Sequence, residues 1–119
     1  MSKENTRLEK PIITRQKEGK KYIAIDSKNG FMLSPSESVQ LMDLFQRIQR
    51  IPLKYPVSTG IIVAYDDGQI CMSIQMSKID DDNYVLVISS MHKSFDYPTL
   101  EVWGLKTDDL EKYINVLQS

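Results

Sequence analysis

The strongest local signal in the sequence is the stretch Ser34-Pro35-Ser36-Glu37, which predicts the start of a helix. The Ser34 hydroxyl can accept a hydrogen bond from a free N–H group of the first turn, Pro35 suits the first helical position, and Glu37 completes a capping box. Apolar residues then recur at helical spacing until Pro52 ends the pattern. This stripe consists of Leu41, Leu44, Phe45 and Ile48. The chain must therefore fold around an amphipathic helix with a defined start and end.

Short apolar and alternating runs on both sides of this helix predict β-strands. The predicted strands occupy residues 11–15, 20–26, 31–33, 61–65, 69–76, 84–88 and 99–105. A second helix follows, capped by Thr107, and its apolar stripe consists of Leu110, Tyr113, Ile114 and Leu117. The order β-β-β-α-β-β-β-β-α predicts an α+β fold with an antiparallel sheet or sheets of about six or seven strands and both helices packed on one face.

Length and charge predict one domain with a basic start. A chain of 119 residues is long enough for one hydrophobic core. Residues 1–10 are polar and aperiodic, so we expect a flexible basic tail there and a single domain at 11–119. Residues 1–21 carry seven Lys or Arg and three Glu (+4), whereas residues 22–119 carry eight Lys or Arg and thirteen acids (−5), which together give −1. The basic arm either contacts an acidic partner or keeps the chain soluble.

Several kinds of chemistry lack the residues that they need. The chain has one histidine, His92, and one cysteine, Cys71, so it cannot build a structural zinc site by itself. The acids at 80–82 are consecutive and lack the glycine and distal glutamate of a calcium loop, so they predict a turn. The sequence contains no nucleophile elbow, phosphate-binding glycine loop or dinucleotide fingerprint. We therefore expect a non-enzymatic protein without a cofactor or a catalytic or metal site.

The setting expected from the sequence is the cytoplasm, with no membrane partner. No wholly apolar run exceeds the length of Ile61–Tyr65, which is far shorter than the roughly 20 residues that a bilayer requires. The first residues lack the apolar stretch of a secretory signal. A single cysteine cannot form an internal disulfide, which favours a reducing compartment.

Surface recognition remains as the expected mode of action. Tyrosines and one tryptophan are distributed over strands and loops, and we expect Tyr84 and Trp103 to lie in the core. Aromatic side chains on an open sheet face can stack on unpaired bases, with basic side chains beside them holding the phosphates. The predicted contact residues on or next to the first hairpin are Arg15, Lys17, Lys20, Lys21 and Tyr22.

The stretches Lys20–Ile25 and Gly30–Pro35, followed by Leu41, resemble the strand–strand–helix core of the positive cofactor four type of transcription coactivator. Whirly proteins share that architecture with two such units. The resemblance covers about 25 residues and implies single-stranded nucleic-acid binding on the sheet, often by a dimer packed through helices. By position, it implies contacts from Lys20, Lys21 and Tyr22. The first unit differs in having three predicted strands rather than four, and the body of the chain is acidic.

Two functions therefore stand as predictions. The first is a single-stranded nucleic-acid-binding or transcription-linked accessory protein that uses the basic arm and adjoining sheet face. The alternative is a protein-binding inhibitor or adaptor, for example an accessory or counter-defence protein of a phage or mobile element. The candidate interface residues of the alternative are Tyr55, His92 and Tyr97, in the loops 52–60 and 91–98. A homodimer is compatible with either function, because one helix stripe can pair with a second copy.

Overall fold

The element order predicted from the sequence is confirmed. The computed structural model describes residues 7–26, 30–52, 58–64, 70–90 and 99–119. The elements are β1 (Arg7–Arg15), a 3₁₀ turn (Lys17–Gly19), β2 (Lys21–Asp26), β3 (Gly30–Leu33), α1 (Pro35–Arg50), β4 (Ser58–Ala64), β5 (Ile70–Asp80), β6 (Asn83–Ser90), β7 (Thr99–Lys106) and α2 (Thr107–Gln118). The class is therefore α+β, with each helix closing a run of strands.

The strands form two antiparallel sheets in which sequence neighbours pair. Sheet 1 has the order β1-β2-β3, and sheet 2 has the order β4-β5-β6-β7. Alternation separates a buried inner face from an outer face in each sheet. In β2 the inner residues include Ile23 and Ile25, and in β5 they include Met72, Ile74 and Met76. Strand β6 lies between β5 and β7, the central position that its apolar composition predicts.

Side chains bind the backbone groups at both ends of helix α1 that have no hydrogen-bond partner within the helix: N–H groups at its start and carbonyls at its end. The Glu37 N–H donates to Ser34 Oγ at 3.1 Å, and the Ser34 N–H donates to Glu37 Oε1 at 2.8 Å, so the predicted capping box is present. At the other end, Lys78 Nζ donates to the carbonyls of Gln49 and Ile51 at 2.9 and 3.0 Å. A lysine ammonium suits the negative end of a helix. Strand β5, which carries Lys78, is thereby joined to the end of α1.

The two helices pack on one another, and the inner faces of both sheets join them in one core. Helix α1 follows sheet 1 but packs on β4 and β5, whereas α2 follows sheet 2 and packs on β1 and β7. Both apolar stripes are buried, and the Phe45 ring stacks on that of Tyr113 with 5.4 Å between ring centroids. Burial leaves neither stripe for pairing with a second copy. Within the described residues, no helix is long and apolar enough to cross a membrane.

The N-terminal boundary predicted from the sequence is wrong. Strand β1 begins at Arg7, so residues 7–10 belong to the fold, whereas residues 1–6 lie outside the described part of the chain. Trp103 Nε1 donates to the Leu8 carbonyl at 3.3 Å, and Tyr113 Oη donates to the Pro11 carbonyl at 2.7 Å. These contacts use backbone carbonyls rather than apolar side chains. Residues 7–10 therefore lack a periodic pattern of apolar residues, although contacts with distant parts of the chain hold them in strand β1.

The start of α2 also differs from the prediction, because its caps come from aspartates rather than from Thr107. Thr107 is the first helical residue, and its N–H donates to Asp82 Oδ1 at 3.1 Å. The preceding N–H, of Lys106, donates to Asp109 Oδ2 at 2.8 Å. Asp82 lies in the turn between β5 and β6, 25 residues away in sequence. That turn is therefore a capping element for α2, a role that local sequence could not indicate.

Asp109 joins β1 to α2 and should make stability depend on pH. Lys10 Nζ lies 2.7 Å from Asp109 Oδ2. Burial raises the pKa of the Asp109 carboxyl, but hydrogen bonds from Lys10 and the Lys106 N–H, with the nearby lysine charges, outweigh burial and leave this pKa below its usual 3.8. Because this pKa is lower in the folded state than in the unfolded state, the carboxylate contributes its full stabilisation at pH values above the unfolded-state pKa. That stabilisation is lost as the pH falls through the folded-state pKa.

Replacing Asp109 with asparagine is therefore expected to lower stability near neutral pH and to weaken its acid dependence. Urea unfolding at about pH 6 and about pH 3 should show a smaller loss of stability in Asp109→Asn than in the parent chain. An equal loss in the two proteins would show that the carboxylate makes no linked contribution.

Candidate nucleic-acid interface

The outer face of sheet 1 carries exposed apolar and aromatic side chains. Antiparallel pairing places Thr14, Tyr22 and Met32 in one row across the three strands, and the next row contains Ile12, Ala24 and Gly30. Ile12 is 50% exposed and Met32 is 49% exposed, while Tyr22 is partly exposed. We refer to Ile12, Tyr22 and Met32 as the platform. Of these three residues, only Tyr22 was predicted as a contact from the sequence. Strand alternation around residues 12 and 32 could have identified Ile12 and Met32 as well.

Tyr22 lies along the sheet because Gly30 makes room for it. A Cβ atom added to Gly30 would overlap the Cζ and Oη atoms of Tyr22, so the phenol end of the ring occupies the space above the glycine. Gly30 is the diagonal cross-strand neighbour of Tyr22, since Tyr22 itself is paired with Met32. The ring is thus supported by β3 on one side and partly exposed on the other.

Exposed cations lie at the end of sheet 1 that is nearest to Tyr22. Arg15, Lys17 and Lys20 are all exposed. Lys20 has an extended backbone, with φ −79° and ψ 157°, so alternation places its side chain on the same face as Tyr22, about 7 Å further along the strand. Three of the seven cations of the first 21 residues therefore lie at this end of sheet 1, where Glu18 is also exposed. Arg15 is paired with Lys21 and so has the parity of the inner face, whereas Lys20 has the parity of the platform. Lys10, by contrast, is paired with Asp109 on α2.

A tight turn presents these cations. Glu18 and Gly19 have positive φ values of 61° and 77°, which reverse the chain between β1 and β2. The turn is closed by the Gln16 N–H donating to the Lys20 carbonyl at 2.9 Å and by the Lys20 N–H donating to the Lys17 carbonyl at 3.1 Å. Left-handed backbone at a residue with a side chain costs about 1–2 kcal/mol. The turn therefore holds Glu18 in an unfavourable conformation next to the candidate interface.

Lys21 must be removed from the predicted contact set. It is 4% exposed, and it is paired with Leu33 on the inner face of sheet 1. Strand alternation explains the burial, because Lys21 has the same parity as Ile23 and Ile25. The residues named for the protein-binding alternative, Tyr55, His92 and Tyr97, lie outside the described residues.

The acidic turn at 80–82 serves the fold. Asp80 Oδ1 accepts from the Asp82 N–H at 2.9 Å, and the amide of Asn83 donates to both Asp80 oxygens at 2.8 Å. These hydrogen bonds, that of the Asp82 N–H above all, lower the pKa of Asp80. Across the described ranges, no group of three or more His, Cys, Asp or Glu side chains is placed to hold a metal ion.

The interface combines an aromatic ring, two exposed apolar side chains and a cationic edge. Such an arrangement can bind planar groups that carry negative charge by stacking and ion pairing. No family model, curated protein or solved structure matches the chain.

Proposed function

We propose that this protein binds single-stranded nucleic acid on the outer face of sheet 1. One observation carries the proposal: the Tyr22 ring lies over Gly30 on an open face, with Lys20 on that same face and Arg15 and Lys17 at the same end. Unpaired bases would stack on the platform, and the cations would contact the phosphates. The acting surface is then the first hairpin rather than a flexible tail.

Stacking favours single strands over duplexes. Bases in a duplex are covered by their neighbours, whereas an unpaired base can place its flat face on an aromatic side chain. Every base offers such a face, so the binding should depend little on sequence. Ile12 and Met32 flank the ring and extend the apolar surface without demanding a particular base. The proposal includes a cytoplasmic setting, in keeping with the single cysteine of the chain.

Charge placement accounts for how an acidic chain can bind a polyanion. The net charge is −1, but Arg15, Lys17 and Lys20 outnumber Glu18 at the turn, and a local patch determines the potential that a phosphate meets. The patch also limits affinity, because it contains few cations. We therefore expect micromolar binding that weakens steeply as salt is added.

The test is fluorescence anisotropy with a labelled single-stranded oligonucleotide, measured over a series of salt concentrations. The triple variant Arg15→Gln, Lys17→Gln, Lys20→Gln should reduce the slope of log K against log salt by about 2, because each phosphate contact on a single strand contributes roughly 0.7. A duplex of the same sequence should bind more weakly.

A matched control separates the patch from total charge. The variant Arg47→Gln, Arg50→Gln, Lys112→Gln removes the same number of exposed cations from the helices. It should leave the salt slope within experimental error. Absence of binding at low salt would end the proposal, and an equal effect of both triple variants would show that the patch is not the contact surface.

A further inference from the structure

The outer face of sheet 2 is partly apolar, and the described positions over its centre are uncharged. Three rows cross β5, β6 and β7 on this face, and both Leu100 and Val102 are well exposed, at 62% and 43%. Their positions are Ser77, Val85 and Gly104, then Gln75, Val87 and Val102, then Ser73, Ser89 and Leu100. None of these nine described positions carries a charged side chain. Lys106 lies beyond them at one end of the face, where its Nζ donates to Asn83 Oδ1 at 2.8 Å.

We infer that this face, the sheet-2 face, is the surface through which two copies of the chain associate. In a twofold contact each copy offers the same patch, so a charged patch would meet its own charge. Residues 22–119 carry eight Lys or Arg and thirteen acids, so a twofold contact through a charged patch elsewhere on this part of the chain would bring like charges together. The sheet-2 face is compatible with itself because it has no charge to repel.

The occupant is a second copy rather than a foreign protein because the face offers few features that discriminate between partners. Specific recognition of a different protein uses charge patterns, and arranges repulsion against wrong partners. The valine, leucine, serine and glutamine side chains of this face provide neither a charge pattern nor such repulsion. The helix stripes are closed to self-association, since both are buried in the core.

The area is sufficient for a weak dimer. Each outward position covers about 32 Å² of the sheet plane, given strands about 4.8 Å apart and two residues in about 6.7 Å. Three rows across four strands, including the backbone of β4, give roughly 400 Å² in projection, or roughly 800 Å² for two copies. That total corresponds to a weak, transient contact.

The geometry also permits close approach. Two sheets pack face to face at about 10 Å, with strands aligned to within about 30°. A Cβ atom at Gly104 would meet no atom within 4 Å, so the space above this position, beside Val102, is open to a side chain of the second copy. The inference is independent of nucleic-acid binding, because the platform lies on the other sheet.

Sedimentation of the full chain over a range of concentrations tests the inference. The mean mass should rise from 13.7 kDa toward twice that value, with Kd on the order of 100 µM. Val102→Lys and, separately, Gly104→Lys should each weaken dimerisation at least tenfold, because each places like charges in the contact. Gly104→Lys adds no clash within one copy, so it guards against misfolding. About 0.5 M salt should leave the parent dimer intact.

Val39→Lys is the matched control, since Val39 is 60% exposed but lies on α1. It should dimerise like the parent chain. A parent chain that stays monomeric at about 500 µM would overturn the inference and leave the face for a foreign protein. Unchanged dimerisation in both lysine variants of sheet 2, or an equal loss in Val39→Lys, would overturn it as well.

Discussion

Phe45→Ala is expected to lower the free energy of unfolding by about 3–5 kcal/mol, the usual range for removing a buried phenylalanine. Phe45 is fully buried on α1, and its ring stacks on Tyr113 of α2. A small domain has only about 5–15 kcal/mol of stability in total, so the variant should lie close to unfolding. The loss corresponds to a fall in Tm on the order of 10–20 °C.

The size of the effect follows from the position of the ring between the two helices. Helix α1 follows sheet 1, α2 follows sheet 2, and each packs on strands of the other sheet. Removal of the ring leaves a cavity at the helix contact that neither sheet can fill without moving. The lost packing should therefore destabilise both halves together, and unfolding should remain a single transition.

Val39→Ala provides the control for this prediction. Val39 belongs to the same helix but is 60% exposed, so its truncation should change stability by no more than about 0.5 kcal/mol. Urea unfolding followed by circular dichroism gives both values, and the m-values should agree. A loss below 1 kcal/mol for Phe45→Ala would contradict the assignment of this ring to the centre of the core.

The sequence predicted best those elements whose stabilising contacts are local. The capping box of α1 needs only Ser34 and Glu37, three residues apart, and it is present as predicted. Alternation within 20–26 and 69–76 predicted strands there, and burial alternates along β2 and β5 as that pattern requires, because a strand directs successive side chains to opposite sides. The element order follows from these local patterns together with the turn signals between them.

Contacts between distant segments were not predictable. The start of α2 depends on Asp82, which reaches it from a hairpin turn, and β1 extends to Arg7 because α2 and β7 bind its backbone. Every residue type has a backbone carbonyl, so the sequence does not show which carbonyl accepts such a hydrogen bond. Lys21 shows the opposite case: it shares the parity of the buried Ile23 and Ile25, yet both its place beside the first hairpin and the likeness to a family predicted an exposed contact.

Tyr22→Ala is expected to weaken single-stranded nucleic-acid binding roughly five- to 150-fold, since stacking of one base on an aromatic ring contributes about 1–3 kcal/mol. Tyr22 is paired with Met32 across the strands, and loss of such a pair costs about 0.2–1 kcal/mol of stability. The fold should therefore survive the substitution. Anisotropy titrations at fixed salt give the ratio of affinities.

Tyr22→Phe and the salt slope together identify the cause of that loss. The phenylalanine variant keeps the ring above Gly30, so it should bind within about twofold of the parent chain. Tyr22→Ala removes no charge, so its salt slope should match that of the parent, whereas the variant without Arg15, Lys17 and Lys20 should lose slope. Stacking and phosphate contact then separate into two independent measurements. An alanine variant with parental affinity would show that bases do not stack on this ring, even if the basic turn still holds the strand.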